Sequence, residues 1–273
     1  MLARLALLVL LALVVVVAFA WARVAAIDVS ALERHDPGVT ALMREREREA
    51  RAAGRAWRPQ RRWVPYERIS PMLRRAVLIA EDDAFYSHDG LDWNEIRASA
   101  RRDLAAGRIV RGGSTITQQL AKNLWLGSSR TPLRKLEEVM LALRLEQALG
   151  KRRIFELYLN VIEWGDGVFG AEAAARRWFG RSAAELGPSE AVRLAAVIIN
   201  PRRYSPVDPP RRIARRARII ATRMRRRGEL SEADWRDVMG EAPAPPIEPP
   251  PSAPSDSLPG PLPGAAVSRP APA

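Results

Sequence analysis

Two stretches of this 273-residue chain gather reactive side chains more densely than a helix surface requires. The first is Glu81-Asp82-Asp83-Ala84-Phe85-Tyr86-Ser87-His88-Asp89-Gly90. Glu81 follows the apolar run 77–80, and a carboxylate at the end of an apolar helix is partly desolvated, which raises its pKa and makes it a better base. The second is Gly112-Gly113-Ser114-Thr115-Ile116-Thr117-Gln118-Gln119-Leu120-Ala121-Lys122-Asn123. Its two glycines free the backbone for close approach to a ligand. Thr115 and Gln118 have the spacing of a capping box that opens a helix. A helix N-terminus lined with hydroxyls, amides and a lysine is suited to holding an anion. Each stretch alone also has a plain reading, as surface acids near a helix end and as an ordinary capped helix after a turn.

Two further blocks lie downstream, Arg134-Lys135-Leu136-Glu137-Glu138 and Lys151-Arg152-Arg153-Ile154-Phe155-Glu156-Leu157-Tyr158-Leu159-Asn160. Arg134 and Glu138 are four apart and Lys135 and Glu138 three apart, so all three share one helix face. By spacing alone this is a routine surface ion pair of about a few tenths of a kcal/mol. In that order the four blocks resemble the family 51 glycosyltransferases, the peptidoglycan polymerases, over about residues 63–206.

The resemblance implies a predominantly α-helical, lysozyme-like two-lobed glycosyltransferase domain behind a single N-terminal transmembrane helix. Its substrates would be lipid II and a lipid-linked growing glycan. Glu81 would take the proton from the GlcNAc 4-hydroxyl of lipid II, and that oxygen would attack the anomeric carbon of the donor with inversion, expelling undecaprenyl diphosphate. Lys122 and Arg130 would meet the diphosphate, Lys135 would support them, and Glu138 would hold the constellation as the second catalytic carboxylate. Ser114, Gln118, Gln119 and Asn123 would position sugar and phosphate oxygens. Asp82, Phe85, His88 and Thr115 complete the substrate-binding set carried over. No cofactor is required; Mg2+ or Mn2+ assisting the diphosphate is compatible with the resemblance, and no carboxylate cluster demands a metal.

Elementary chemistry agrees with that assignment. A glycoside hydrolase usually needs two carboxyls, one of them to protonate a poor leaving group. A diphosphate leaves as a stable anion and needs cations to take up its developing charge, plus one base for the attacking hydroxyl. An enzyme that cleaves peptidoglycan on the same scaffold is the nearest rival, and a non-catalytic membrane scaffold is a rival of another class. The net charge of +13 points to an anionic partner. Nucleic acid is the weakest such reading, opposed by the apolar N-terminus and by the lack of a recognisable reading module. Of the 44 basic residues only Lys122, Lys135 and Lys151 are lysines, and all three fall inside the four blocks. The absence of cysteine excludes disulfides and thiol chemistry, and two distant histidines offer no metal-ligand spacing.

These groups need elements to carry them. An unbroken apolar run from Leu5 to Ala22 has bilayer-spanning length, with Arg4 before it and Trp21 at its far edge. It reads as an anchor over residues 1–24. Ala18-Phe19-Ala20 also fits a cleavage site of a signal peptide. Residues 25–60 read as a polar stalk, their charge-alternating run 43–49 as a solvated helix surface. The catalytic domain spans 61–240. Ser70 with Pro71 opens a helix toward Glu81. Pro132 starts another, Gly150 ends it, and further helices follow near 151–160, 171–179, 189–199 and 211–227. Residues 91–111, with Leu91, Trp93, Ile96, Leu104 and Ile109 among arginines, suit a membrane-interfacial segment. No strand series is evident. Residues 241–273 hold twelve of the 22 prolines and read as a disordered tail. Neither Ser-x-x-Lys nor Lys-Thr-Gly occurs, so no transpeptidase motif accompanies the polymerase. The resemblance places the domain outside a bacterial inner membrane, on its periplasmic side, where other cell wall synthesis or division proteins could join it.

Overall fold

The computed structural model describes residues 1–107, 113–129 and 131–240. Helices carry most of that chain: α1 Leu2–Ala25, α2 Ala41–Ala52, α3 Pro71–Glu81, α4 Trp93–Ala106, α5 Ile116–Ala121, α6 Pro132–Ala148, α7 Lys151–Val161, α8 Ala171–Phe179, α9 Pro188–Val197, α10 Arg211–Arg226 and α11 Glu232–Met239. Local signals set their starts. Ser70 caps α3 ahead of Pro71, Thr131 caps α6 ahead of Pro132, and Asp92 accepts from the first amides of α4.

Two groups of helices form the core. In one, α9 is apolar on nearly every side and packs against α3 and α10, so it is buried as a central element. Helix α10 shows the opposite pattern. Ile213, Ala217, Ile220, Ala221 and Met224 form its single buried stripe, and arginines cover the rest. In the second group α5 packs on α6 and α7, with Phe155, Leu157, Tyr158 and Leu159 of α7 fully buried. The described domain has the helical, lysozyme-like build expected of it.

A small sheet was not legible in the sequence. Strands β1 Gln60–Arg61, β2 Glu163–Gly165 and β3 Val168–Phe169 are too short for any alternation to register. They pair in the order β1-β3-β2, with β1 parallel and β2 antiparallel to β3. Gly170, just beyond β3, has φ 85°, and a Cβ there would stand 2.7 Å from the Asn160 carbonyl oxygen. Asn160 itself fastens α7 to the segment leading into α3, since its side chain accepts from Val64 N (3.1 Å) and donates to Val64 O (2.9 Å).

The run expected to be a solvated stalk surface behaves differently. Thr40 caps α2, and Leu42, Met43 and Ala50 are buried against the domain beside Phe169 and Trp57. Charge alternation hid an apolar stripe only three residues wide. Helix α1 is apolar and exposed along nearly all its length, about 36 Å at 1.5 Å per residue, which is compatible with a membrane anchor. Its last turn is seated on α6: Ala20 and Val24 are buried, Arg23 pairs with Glu137 at 2.7 Å, and Arg144 donates to the Val24 carbonyl. Helix α4 buries no residue; Trp93 is 61% and Leu104 84% exposed. Ile109 and the proline-rich segment 241–273 lie outside the described residues.

Candidate active site

Glu81 ends α3 where the two helix groups meet. Its carboxylate accepts from Gln119 Nε2 of α5 (3.1 Å) and from Arg216 Nη2 of α10 (2.8 Å). Burial pushes its pKa up from the ordinary glutamate range, against the opposing pull of Arg216, Gln119 and Lys122. Desolvation wins, and the result is a carboxylate that holds a proton more tightly than an exposed glutamate does. Gln119 is itself oriented by the buried Tyr158, whose hydroxyl donates to Gln119 Oε1 (3.1 Å) and leaves the amide NH2 for Glu81.

Opposite lies the cationic cluster. Lys122 begins a π-helical turn, Lys122–Leu126, that extends α5 and is closed by Gly127 N donating to Lys122 O (2.9 Å). Such wide turns recur at functional sites because they re-aim a side chain within a helix. The Lys122 ammonium makes no hydrogen bond or ion pair among the described residues. Burial lowers its pKa, and Glu138 is the largest influence holding it charged, with Glu81 also contributing. Glu138 is buried on α6 and contacts both Arg134 and Lys135, as their spacing predicts. Lys135 also donates to Ser114 Oγ (3.0 Å), joining the cluster to the start of the second block. Arg130 and Gly112 lie outside the described residues.

Two cavities flank α5. One, of ≈ 310 Å³, is lined by Glu81, Asp83, Arg102, Ser114 and Arg223 among others. The second, of ≈ 380 Å³, is lined by Gln119, Lys122, Asn123 and Arg202, with Arg46 and Glu163 at its wall. No three His, Asp or Glu side chains among the described residues converge as metal ligands.

Several residues carried over as substrate contacts are also held by partners within the protein, and of these Asp82 and Thr115 line the first cavity beside Glu81. Thr115 and Gln118 form the expected capping box and are buried by it. The anion held at that helix N-terminus is the protein's own: Asp82 Oδ2 accepts from Ile116 N (2.8 Å), while Asp82 also accepts from His88 Nε2 (3.0 Å) in its protonated-Nε2 form. Asp82 and His88 thereby lock Glu81's loop onto α5. Phe85 is fully buried among Tyr86, His88 and Phe155, with Lys151 Nζ 4.5 Å from its ring centroid. Phe85 lines neither cavity. Phe85→Ala is expected to cost about 3–5 kcal/mol of stability, read as a fall in thermal midpoint in detergent. Lost activity with an unchanged midpoint would restore Phe85 to substrate contact.

Sequence reading missed Arg216 and the role of Tyr158. Arg216 sits in an arginine-dense helix where residue type carries no signal. Only its place on the flank of the 213-217-220-224 stripe marks it as facing the domain.

A helical domain with a desolvated carboxylate facing a cluster of cations fits a glycosyl-transferring enzyme, and the comparisons with known proteins give that class. The model of the Transglycosylase family matches residues 49–225, and the chain belongs to that family. Among its relatives are the biosynthetic peptidoglycan transglycosylases of Chromobacterium violaceum, 49% identical over 190 residues, and of Methylobacillus flagellatus, 50% identical over 191. Each match covers 70% of this chain and 83% of the relative.

Proposed function

We propose that the protein polymerises peptidoglycan glycan strands from lipid II. The observation that carries this reading is the pairing of a half-buried, hydrogen-bonded carboxylate, Glu81, with a half-buried lysine, Lys122, that Glu138 helps to keep charged. Glu81 takes the proton of the lipid II GlcNAc 4-hydroxyl. The oxygen forms a β-1,4 bond to the anomeric carbon of the donor's terminal MurNAc as the bond from that carbon to the diphosphate oxygen breaks. Undecaprenyl diphosphate departs with the electron pair, and the configuration inverts. Lys122 and Arg130 neutralise the charge on the leaving oxygens, and Arg134, Lys135 and Glu138 keep that field in place. The two cavities beside α5 offer room for two glycans, one donor and one acceptor. No separate acid is needed, since the diphosphate leaves as an anion.

In this reading α1 spans the bacterial inner membrane, the domain faces the periplasm, and Trp93 and Leu104 of α4 rest in the bilayer interface. The relatives' printed names and the exposed apolar side chains support it. The test is detergent-solubilised protein given fluorescent lipid II, with products separated by size. A ladder of polymer is expected. Folded protein that yields no ladder across several detergents would overturn the reading, and shortening of existing glycan without lipid II consumption would mark a cleaving enzyme instead.

A further inference from the structure

We propose that Glu45, on a helix segment ahead of the matched family region, is a positioning residue for the leaving-group side of the cleft. The inference rests on the reading of Lys122 as a cation at the departing diphosphate. Lys122 and the cations of α6 are joined by a short loop that begins at Gly127. That loop has one fixed point in the Lys122–Gly127 hydrogen bond that closes the π-turn, and another at Thr131, whose hydroxyl accepts from Arg134 N (3.1 Å). Between them, Glu45 of α2 spends both carboxylate oxygens on one residue: Oε2 accepts from Ser128 N (2.8 Å), and Oε1 from the Ser128 hydroxyl.

The neighbouring Gly127 adapts to this contact. It is buried with φ 72°, and a Cβ built there would stand 2.8 Å from Glu45 Oε2. The glycine therefore serves both the left-handed turn and the approach of the carboxylate. Helix α2 is held by contacts that do not involve this loop. Leu42 and Met43 pack on Phe169, Arg46 Nε donates to Glu163 Oε2 (2.9 Å), and Glu49 Oε2 accepts from Arg202 Nη1 (2.8 Å). A carboxylate on a helix fixed at three other places acts as a clamp on the loop at Ser128. Arg46, Glu163 and Arg202 line the same cavity as Lys122, so α2 braces that cavity's wall as well as its loop.

The full chain in detergent provides the test, with Glu45→Ala, Glu45→Gln, Ser128→Ala and the double alanine variant assayed on lipid II. Glu45→Ala is expected to lower kcat about tenfold with KM changed less than about twofold, because the misplaced cations matter where charge develops. Glu45→Gln should recover most of the rate, since its carbonyl accepts from the Ser128 amide and its NH2 donates to the hydroxyl. The double variant should be no slower than Glu45→Ala, as expected of two residues sharing one interaction. Amide hydrogen exchange at Gly127 and Ser128, which needs no turnover, should quicken in Glu45→Ala. Unchanged exchange, an unchanged kcat in folded Glu45→Ala, or losses that multiply in the double variant would overturn the clamp. If the native chain makes no polymer, the polymerase reading fails, and exchange alone decides whether Glu45 holds the loop.

Discussion

Glu81→Gln should abolish polymer formation, lowering the rate by roughly 10²–10⁴-fold, the range over which a general base contributes. The substitution keeps an acceptor for Arg216 and nearly the same volume. Its NH2 must face a donor on Gln119, and the Tyr158 hydroxyl can accept as well as donate, so Gln119 is free to turn over. The fold should therefore persist. Because burial raises the folded pKa of Glu81, the folded chain holds that proton more tightly than the unfolded chain does, and ionising it opposes folding. The stabilising contribution of the neutral acid is present at low pH and declines as pH rises, so the variant should be at least as stable as the native chain at neutral pH. The native rate should fall with falling pH through a midpoint above the ordinary glutamate range, and the residual rate of the variant should lack that limb. A full-rate polymer ladder from the folded variant would remove Glu81 from its role.

Lys122→Met should cost about 10²–10³-fold in kcat, the loss seen when one preorganised donor to developing charge is removed. Lys122→Arg should not rescue it. The ammonium is half-buried, burial lowers its pKa against the pull of Glu138 and Glu81, and a planar guanidinium is a larger, always-charged group of different donor geometry that does not take the place of a compact ammonium. The native basic limb should lie below the ordinary lysine range, with activity lost as pH rises and Lys122 gives up its proton. In Lys122→Met that limb should vanish. An arginine variant with native kcat would show that charge alone suffices and that the lysine's shape is incidental.

Features fixed by neighbours in sequence were read correctly. The Thr115–Gln118 box, the Ser70-Pro71 start, the start at Pro132, and the shared face of Arg134, Lys135 and Glu138 depend on residues a turn apart or less. What escaped was settled across the fold. That Asp82 occupies the amide end of α5 depends on a partner 34 positions away, and so the expected external anion site is filled from within. Phe85 looked chemical because it stands among chemical residues, yet an aromatic ring in such a block serves equally to bury the loop behind a base. Arg216 was invisible because composition had already spent its signal on arginine. Helix α2 was masked by its own charges, which pair with the domain instead of facing only water.

The way α1 meets α6 sets a mechanical limit on the enzyme. Arg23 on Glu137 and Arg144 on the Val24 carbonyl leave no slack between the apolar helix and the helix that carries Glu138. A tether of loose residues would let a domain sample a range of heights above a bilayer, whereas a seated junction gives it one standoff. With α1 spanning a bilayer as proposed, substrates held in the same sheet of lipid would present their sugars at a matching elevation, and encounter would become a lateral search in two dimensions. The junction acts as a gauge: inserting flexible residues between Arg23 and the domain would leave every catalytic group intact and still take the cleft out of register with the surface it works on.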